Sequence, residues 1–470
     1  MNNTLLRKIP KTDILLAQTE IREACTRYPY ELVKDTIKVC TDELRRDLLS
    51  GRVSTIPTAG ELARRVTEKL DGGDLYSLKR VVNATGVVLH TNLGRAPLGK
   101  KAAEHIAAVA SGYSNLEYDL EKGERGSRYD HVEKLLCDIT GAEAAMVVNN
   151  NAGAVFLMLN TLCEGKKVAV SRGELVEIGG SFRVPEIMAR SGAELVEVGT
   201  TNKTHLYDYA DAIDEGTEVL LKVHTSNFTI TGFTESVEIP ELAKLAKERD
   251  ALLLYDLGSG FLFPCENFGL HDEGQVAAKC LRAGADVVCF SGDKLLGSAQ
   301  AGVLAGKKEL IDRIKRNHLT RMLRIDKLSL AGLEYTLRYS TDPALAAESI
   351  PALAMLSRTE EQCRALAAQL KQKLIDALPD CNAAVVSVQD EPGGGSLPGV
   401  LLDGAAVSVQ LNYVGTEEIE NALRRRRVPI IARVSRDCLL VSVRTLLDED
   451  MDEIVAALTD IAAAGKAGRL

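Results

Sequence analysis

Ala285-Asp-Val-Val-Cys-Phe-Ser-Gly-Asp-Lys294-Leu-Leu-Gly-Ser-Ala-Gln-Ala-Gly-Val-Leu-Ala-Gly306 places one lysine between two apolar runs. Val287 to Phe290 reads as a short strand, broken at Ser291-Gly292. A second apolar run begins at Val303. A flexible amine between two buried strands adds nothing to solubility. Burying it costs free energy unless it is paired, and it lowers the pKa. A lysine that forms a Schiff base wants that environment. The small neighbours Gly292, Gly297, Ser298, Ala299 and Gly302 leave room for a flat ring.

A second signal lies upstream. Ala251-Leu-Leu-Leu-Tyr-Asp256 is a buried-strand pattern ending in a carboxylate, followed by Leu257-Gly-Ser-Gly260. In open α/β sheets, ligands bind beyond the carboxyl ends of the strands. Asp256 and Lys294 each stand past such an end, 38 residues apart, with room between them for a helix over Val276–Ala283. An Asp facing a pyridinium nitrogen and a Lys bonded to the aldehyde are what pyridoxal 5'-phosphate asks of a protein. Taken singly, a strand-ending Asp is more often a cap residue and a lone Lys is usually solvated. In this order, with glycines behind them, the pair points to that cofactor.

Length and composition set the frame. A chain of 470 residues suggests two or three domains, and 46% hydrophobic residues are ample for a core. No run approaches the ~20 apolar residues of a membrane span. The first residues lack the apolar stretch of a signal peptide. Ten cysteines are scattered with no C-x-x-C pair, so reduced thiols in a cytoplasmic protein are expected, with no disulfide and no metal site. A net charge of −9 argues against a generic nucleic-acid binder. The charge is uneven, however. Residues 1–80 carry 15 Lys and Arg against 12 Asp and Glu, and the remainder carries 42 against 54. A mildly basic N-terminal region on an acidic enzyme can face a polyanion, although so small an excess is common on ordinary helices.

Residues 12–49 have helical spacing interrupted at Pro29, so two helices are expected. Ser50-Gly51 ends them, Thr58 with Glu61 forms a capping box for the next helix, and Asp71-Gly-Gly-Asp74 is a turn. Residues 81–99 are fragmented by Gly86, Gly94 and Pro97 into an extended segment. Arg95 lies there in a small-residue loop, poised for an anion or merely exposed. Arg128 stands at the start of a helix over 131–140, suited to a substrate anion or to a structural ion pair. Ala144 to Ala154 reads as strand, turn and helix. Asn150, Asn151 and Ala152 are candidates for the phosphate cup, because helix N-termini present free N–H groups. Alternation continues through strands at 167–171, 194–198 and 219–223. Asn227 follows the last of these, where its amide can reach a ring substituent. Such alternation means a parallel or mixed sheet. Lys307–Arg324 reads as one basic helix with Arg321 and Arg324 on a shared face, and a solvated face is the ordinary reading of it. Residues 345–378 look like a long helical linker. The last section holds strands at 383–388, 400–402, 428–434 and 438–443, the loop Pro392-Gly-Gly-Gly395, and two helices. Arg424–Arg427 suits RNA or, more often, a helix end.

With these groups assembled, the chain resembles the bacterial selenocysteine synthases, the L-seryl-tRNA(Sec) selenium transferases. The stretches that carry the resemblance are Asn83–Arg95, Glu124–Asp130, Val148–Ala154, Ser171–Arg183 and Phe290–Gly297, and it runs over nearly the whole chain. It implies an α/β, fold-type-I pyridoxal-phosphate transferase with an aminotransferase-like large domain (81–340). A small helical N-terminal domain (1–80) grips tRNA, and a linker helix leads to an α+β C-terminal domain (341–470). It also implies Lys294 as the Schiff-base lysine and Asp256 as partner of the pyridine nitrogen. The resemblance further implies Asp293 and Asn227 beside the reacting centre, and Arg95, Arg128, Arg321 and Arg324 around the selenium donor and substrate. Relatives of this kind form rings of dimers, a homodecamer.

The implied reaction converts L-seryl-tRNA(Sec) to L-selenocysteinyl-tRNA(Sec). Water is eliminated from the seryl group to give an aminoacrylyl-tRNA, and selenophosphate then delivers selenium. A donor so highly charged calls for two or more arginines. Two rivals share parts of the signal. One is a related pyridoxal-phosphate ammonia-lyase acting on a phosphorylated amino sugar or another small amino compound. The other is a tRNA-binding scaffold that has lost catalysis. The helical N-terminal region argues against the first; Lys294, Asp256 and Arg95 argue against the second.

Overall fold

The computed structural model describes residues 6–49, 53, 55–71, 76–178, 182–270 and 273–468. The expected helix stop at Ser50-Gly51, residues 72–74 of the expected turn, and Gly179, Gly180 and Ser181 lie outside the described residues. The chain divides into two compact units. One is Gly86–Gln362 with Gln389–Gly404; the other is Met1–Thr85 with Cys363–Val388 and Ala405–Leu470.

The first unit is built on a seven-stranded sheet. Its strands are β1 (Ala144–Val148), β2 (Lys167–Ser171), β3 (Glu194–Val198), β4 (Val219–Val223), β5 (Leu252–Asp256), β6 (Val287–Ser291) and β7 (Gly302–Gly306). Their order across the sheet is β1-β7-β6-β5-β4-β2-β3. All neighbours are parallel except β7, which runs antiparallel to both β6 and β1. The mixed sheet expected from the alternation is therefore present. β1, β4, β6 and β7 are buried along their whole length, as strands covered on both faces must be.

Side chains alternate between two cores. Leu253, Tyr255, Val288 and Phe290 face one; Leu254, Cys289, Met146 and Val148 face the other. By the same parity Asp256 points to the second face, where the helix Asn151–Leu162 packs with Ala154, Leu157 and Met158. Register then gathers the ends. Asp256 pairs with Cys289 and with Val223, Ser291 pairs with Gly302, and Gly302 pairs with Val148. The carboxyl ends of four strands thus share one edge with the start of β7.

In the second unit, helices Thr12–Leu16, Thr19–Arg27, Tyr30–Leu49 and Ala59–Asp71 pack around Leu15, Ile21, Val33, Ile37, Leu62 and Val66. Pro29 separates the second from the third of these. The Thr58 capping box forms: Thr58 N donates to Glu61 Oε2 at 2.7 Å, and Glu61 N donates to Thr58 Oγ1 at 3.3 Å. A five-stranded sheet runs in the spatial order Val82–Ala84, Ile430–Ser435, Cys438–Ser442, Leu402–Gln410, Asn382–Asp390. The strand expected at 400–402 in fact begins at Leu402 and continues to Gln410. Of the arginine run, Arg426 Nη1 lies 3.0 Å from Asp460 Oδ2. No helix among the described residues is long and apolar enough to cross a membrane.

Three expected helices are broken. The one before Pro29 is split at Ala17-Gln18 into Thr12–Leu16 and Thr19–Arg27. Residues 345–378 form three, Pro343–Ser349, Pro351–Ser357 and Glu360–Ala377. Pro351 lacks the N–H that would continue the first. Thr359 and Gln362 cap the third reciprocally, at 2.9 and 3.2 Å. The basic segment forms Lys308–Arg316 and Thr320–Leu323. Between them Asn317 is extended, its amide donating to Asn160 Oδ1 at 2.9 Å and Thr161 Oγ1 at 2.8 Å. Arg324 is the extended residue that ends the short helix, so Arg321 and Arg324 do not share a continuous helical face.

Candidate active site

Asp256 ends β5 and is 4% exposed. Its Oδ1 accepts from Asn151 Nδ2 at 2.8 Å and from Gly258 N at 2.9 Å, with the Cys289 thiol 3.8 Å away. Burial pushes its pKa up, while the Asn151 amide, Gly258 N–H, the Lys294 charge and Cys289 oppose that rise. Asn150 caps the helix Asn151–Leu162, its Oδ1 accepting from Gly153 N at 2.8 Å. The amides of Asn151 and Ala152 open the helix with no intrahelical acceptor. Gly302 lets this helix start close against β7, since a Cβ there would collide with the Asn150 carbonyl.

Lys294 follows β6 through a tight loop. Gly292 N donates to Ala301 O at 2.8 Å, and Gly297 N to Lys294 O at 2.8 Å. The side chain is 5% exposed. Its amine makes no hydrogen bond or ion pair among the described residues. Burial first, and then the Arg95 cation, hold its pKa below the usual lysine range; Asp256 and Asp293 pull the other way. Arg95 is held at φ 62° beside Gly94 at φ 91°. Its Nη1 lies 2.8 Å from Asp293 Oδ2. Lys294, Asp256, Asp293 and Arg95 therefore form one cluster.

The other expected residues are placed differently. Asn227 is exposed, and its Nδ2 donates to Glu177 O at 2.8 Å. Its neighbour Ser226 is fully buried, its Oγ lacks a partner among the described residues, and it abuts Gly258, where a Cβ would stand 2.9 Å from that oxygen. Arg128 is buried and already engaged. Its Nε donates to Glu117 Oε1 at 3.0 Å, its Nη2 to the same oxygen, and its Nη1 to Ile325 O. The Glu117 carboxyl is held below its usual range chiefly by that bond, with Arg324 adding to it. Arg324 bridges to Val148 at the end of β1, and Asn149 N donates to Leu323 O at 2.8 Å, which brings Arg324 to the side of the helix start. Arg321 is exposed on the short helix.

Sequence reasoning missed a roof over the lysine. Residues 389–404 belong to this unit. Leu89 N donates to Pro392 O at 2.7 Å, Ser259 Oγ to Gly395 O at 2.5 Å, and Gln275 Nε2 to Ser396 O at 2.7 Å. A Cβ on Gly395 would stand 3.2 Å from Lys294 Nζ. The run Gly393-Gly394-Gly395 was the available signal. For the Asn151 side chain there was none, because a residue at a helix start ordinarily serves the helix.

The donor set fits pyridoxal 5'-phosphate. It offers a carboxylate with one oxygen uncommitted, an unpaired buried amine, a helix start with open amides, and an orphaned hydroxyl at Ser226.

Residues 81–447 match a family model described as L-seryl-tRNA selenium transferase, and residues 6–45 match one described as selenocysteine synthase N terminal. The chain is 45% identical to the L-seryl-tRNA(Sec) selenium transferase of Geobacter sulfurreducens, over 98% of this chain and 100% of that one. It is 48% identical to that of Clostridium botulinum, over 96% and 97%. Among solved structures, D-glucosaminate-6-phosphate ammonia-lyase superposes with a TM-score of 0.55 at 22% identity, over 85% of this chain and 98% of that one. At that identity the likeness concerns the fold alone. With most of its length under one family model, the chain belongs to the L-seryl-tRNA selenium transferase family.

Proposed function

We propose that this chain converts L-seryl-tRNA(Sec) to L-selenocysteinyl-tRNA(Sec), with pyridoxal 5'-phosphate as cofactor and selenophosphate as selenium donor. Family membership supports the substrate. The observation that carries the chemistry is Lys294: buried, unpaired, and clustered with Asp256, Asp293 and Arg95.

When bound, the cofactor supplies an electron sink that acidifies the Cα–H of an amino acid. The roles of the residues follow. Asp256 holds the proton on the ring nitrogen. Lys294, whose burial disfavours its own proton, takes the proton from seryl Cα. The Cβ–O bond breaks and the hydroxyl leaves as water. Selenium bonds to Cβ as Cα regains a proton supplied by the selenophosphate, the P–Se bond is hydrolysed, and phosphate leaves, so the water released balances the water consumed. Arg95, Arg321 and Arg324 are the guanidinium groups proposed for the donor's oxyanions. Asp293 orients Arg95. In the geometry at hand Arg128 acts through Glu117 and the Ile325 carbonyl, which makes it a support for this wall. The amides of Asn151 and Ala152 are proposed to hold the cofactor phosphate. The N-terminal helices, with their basic excess, are proposed to grip the tRNA, and a ring of dimers is the proposed assembly.

The ammonia-lyase reading gains nothing beyond a shared fold. Incubating the holoprotein with charged Ser-tRNA(Sec) and selenophosphate tests the proposal. Selenocysteine recovered from the tRNA is the expected result. Seryl-tRNA left intact, beside turnover of a phosphorylated amino sugar, overturns it.

A further inference from the structure

Every hydrogen bond that the Asp256 carboxylate accepts among the described residues falls on one oxygen. Asn151 Nδ2, Gly258 N and the Cys289 thiol all converge on Oδ1, and Oδ2 accepts none among the described residues. The convergence is built into the fold. Asp256 and Cys289 are register partners on adjacent parallel strands and point to the same face. Asn151 is the first residue of the helix that packs on that face. A carboxylate only accepts hydrogen bonds, so the amide of Asn151 must present its nitrogen. Its own Oδ1 is buried without a partner among the described residues. The amide therefore gives up one hydrogen bond to keep its donor on Asp256, an arrangement with a cost of its own.

We propose that Asn151 is a positioning residue, with Cys289 as its weaker second: together they pin Oδ1 of Asp256 so that Oδ2 alone is presented to the ring nitrogen of the cofactor. The inference rests on the reading of Asp256 as ring partner and deepens it. A carboxylate free to rotate in a buried site would present either oxygen and would favour its protonated form, which cannot hold a proton on the ring. Donors fixed on one oxygen oppose that shift toward the protonated form and fix the carboxylate's orientation. Burial and the opposing amide bonds act on the Asp256 pKa in those senses. The helix start contributes positive partial charge from the same side.

The test uses holoprotein reconstituted with pyridoxal 5'-phosphate isotopically labelled at the ring nitrogen, read by NMR, with cofactor affinity measured by equilibrium dialysis. Asp256→Asn is the control for the underlying reading and is expected to move the ring resonance to the neutral-pyridine position. Asn151→Leu and Asn151→Ala are expected to move it part of the way. They are also expected to weaken cofactor binding roughly tenfold, the worth of one hydrogen bond to a charged group. Cys289→Ala is expected to move it least. The melting of each apoprotein separates loss of fold from loss of positioning, and one folded Asn151 variant suffices. If a folded Asn151 variant keeps both the wild-type resonance and the wild-type affinity, the proposal is overturned. If Asp256→Asn itself leaves the resonance in place, it is the reading of Asp256 that fails.

Discussion

Two lysines of the same sheet are buried to nearly the same degree. Lys222, on β4, is 8% exposed and Lys294, beyond β6, is 5% exposed. Lys222 Nζ donates to Glu174 Oε1 at 2.9 Å and to Val237 O at 2.9 Å, and Glu174 Oε2 accepts from Val223 N at 2.9 Å. Its charge is fully answered. Lys294 has charges nearby and no bonded partner among the described residues, and a neighbouring arginine adds to the penalty of burial. Burial alone therefore does not mark a reactive lysine. The mark is burial without an answering carboxylate at bonding distance, under a roof that a side chain would fill.

Two substitutions break the comparison most severely. Lys294→Ala is expected to abolish the visible absorbance of the bound cofactor. Selenocysteine formation should fall by roughly 10²- to 10⁴-fold, the usual worth of a positioned acid–base group. A retained absorbance band would refute the assignment. Lys222→Met is expected to do something different. It strands Glu174 in the interior, and breaking a buried pair costs about 3–5 kcal/mol of stability. Thermal unfolding should register that loss while the folded fraction keeps its cofactor band. A Lys222 variant that melts normally and lacks the band would erase the distinction between the two lysines.

The roof comes next. Gly395 sits at φ 82°, and an added Cβ would press on the Lys294 amine. Left-handed backbone on a residue other than glycine costs on the order of 1–3 kcal/mol when combined with a local clash. Gly395→Ala is thus expected to weaken cofactor binding by ~10- to 100-fold, read by dialysis of the holoprotein. Gly94→Ala provides the contrast, because a Cβ there meets nothing within 4 Å despite its φ of 91°. It should show the backbone cost without the contact.

How much of this was legible follows from the range of each interaction. Strand patterns and their alternation with helices are local, so the α/β class and the placement of Asp256 and Lys294 at strand ends could be read directly. The family's motifs, which run through Arg95 and Asp293, added what spacing could not. Helix breaks at Pro351 and Asn317 were missed because the overall apolar and basic patterns run through them. The proline and the Asn317 side chain decide the break locally. The roof at 392–396 and the turning of Asn151 onto Asp256 depend on partners roughly a hundred or more residues away. Asn227 stands just past its strand end, as expected, with its amide on the Glu177 carbonyl; that the adjoining Ser226 is the residue turned inward could not be read from the local pattern.

The smallest expected effect separates the two lysines by their neighbours. Lys294 holds its proton less tightly than an ordinary lysine, first through burial and second through Arg95. A depressed pKa leaves the amine neutral, and able to bond an aldehyde, at lower pH than a solvated lysine requires. Cofactor loading of the apoprotein should therefore rise with pH and level off below the usual lysine range. Arg95→Gln removes a cation from beside the amine. It also releases Asp293 from its 2.8 Å partner, and both changes favour the protonated amine. The midpoint of the loading rate against pH, followed by stopped-flow absorbance, should move upward. Arg95→Lys keeps the charge and should leave the midpoint close to wild type. A midpoint that ignores the glutamine substitution would mean that burial alone sets the state of Lys294, and the difference from Lys222 would then rest on the missing carboxylate by itself.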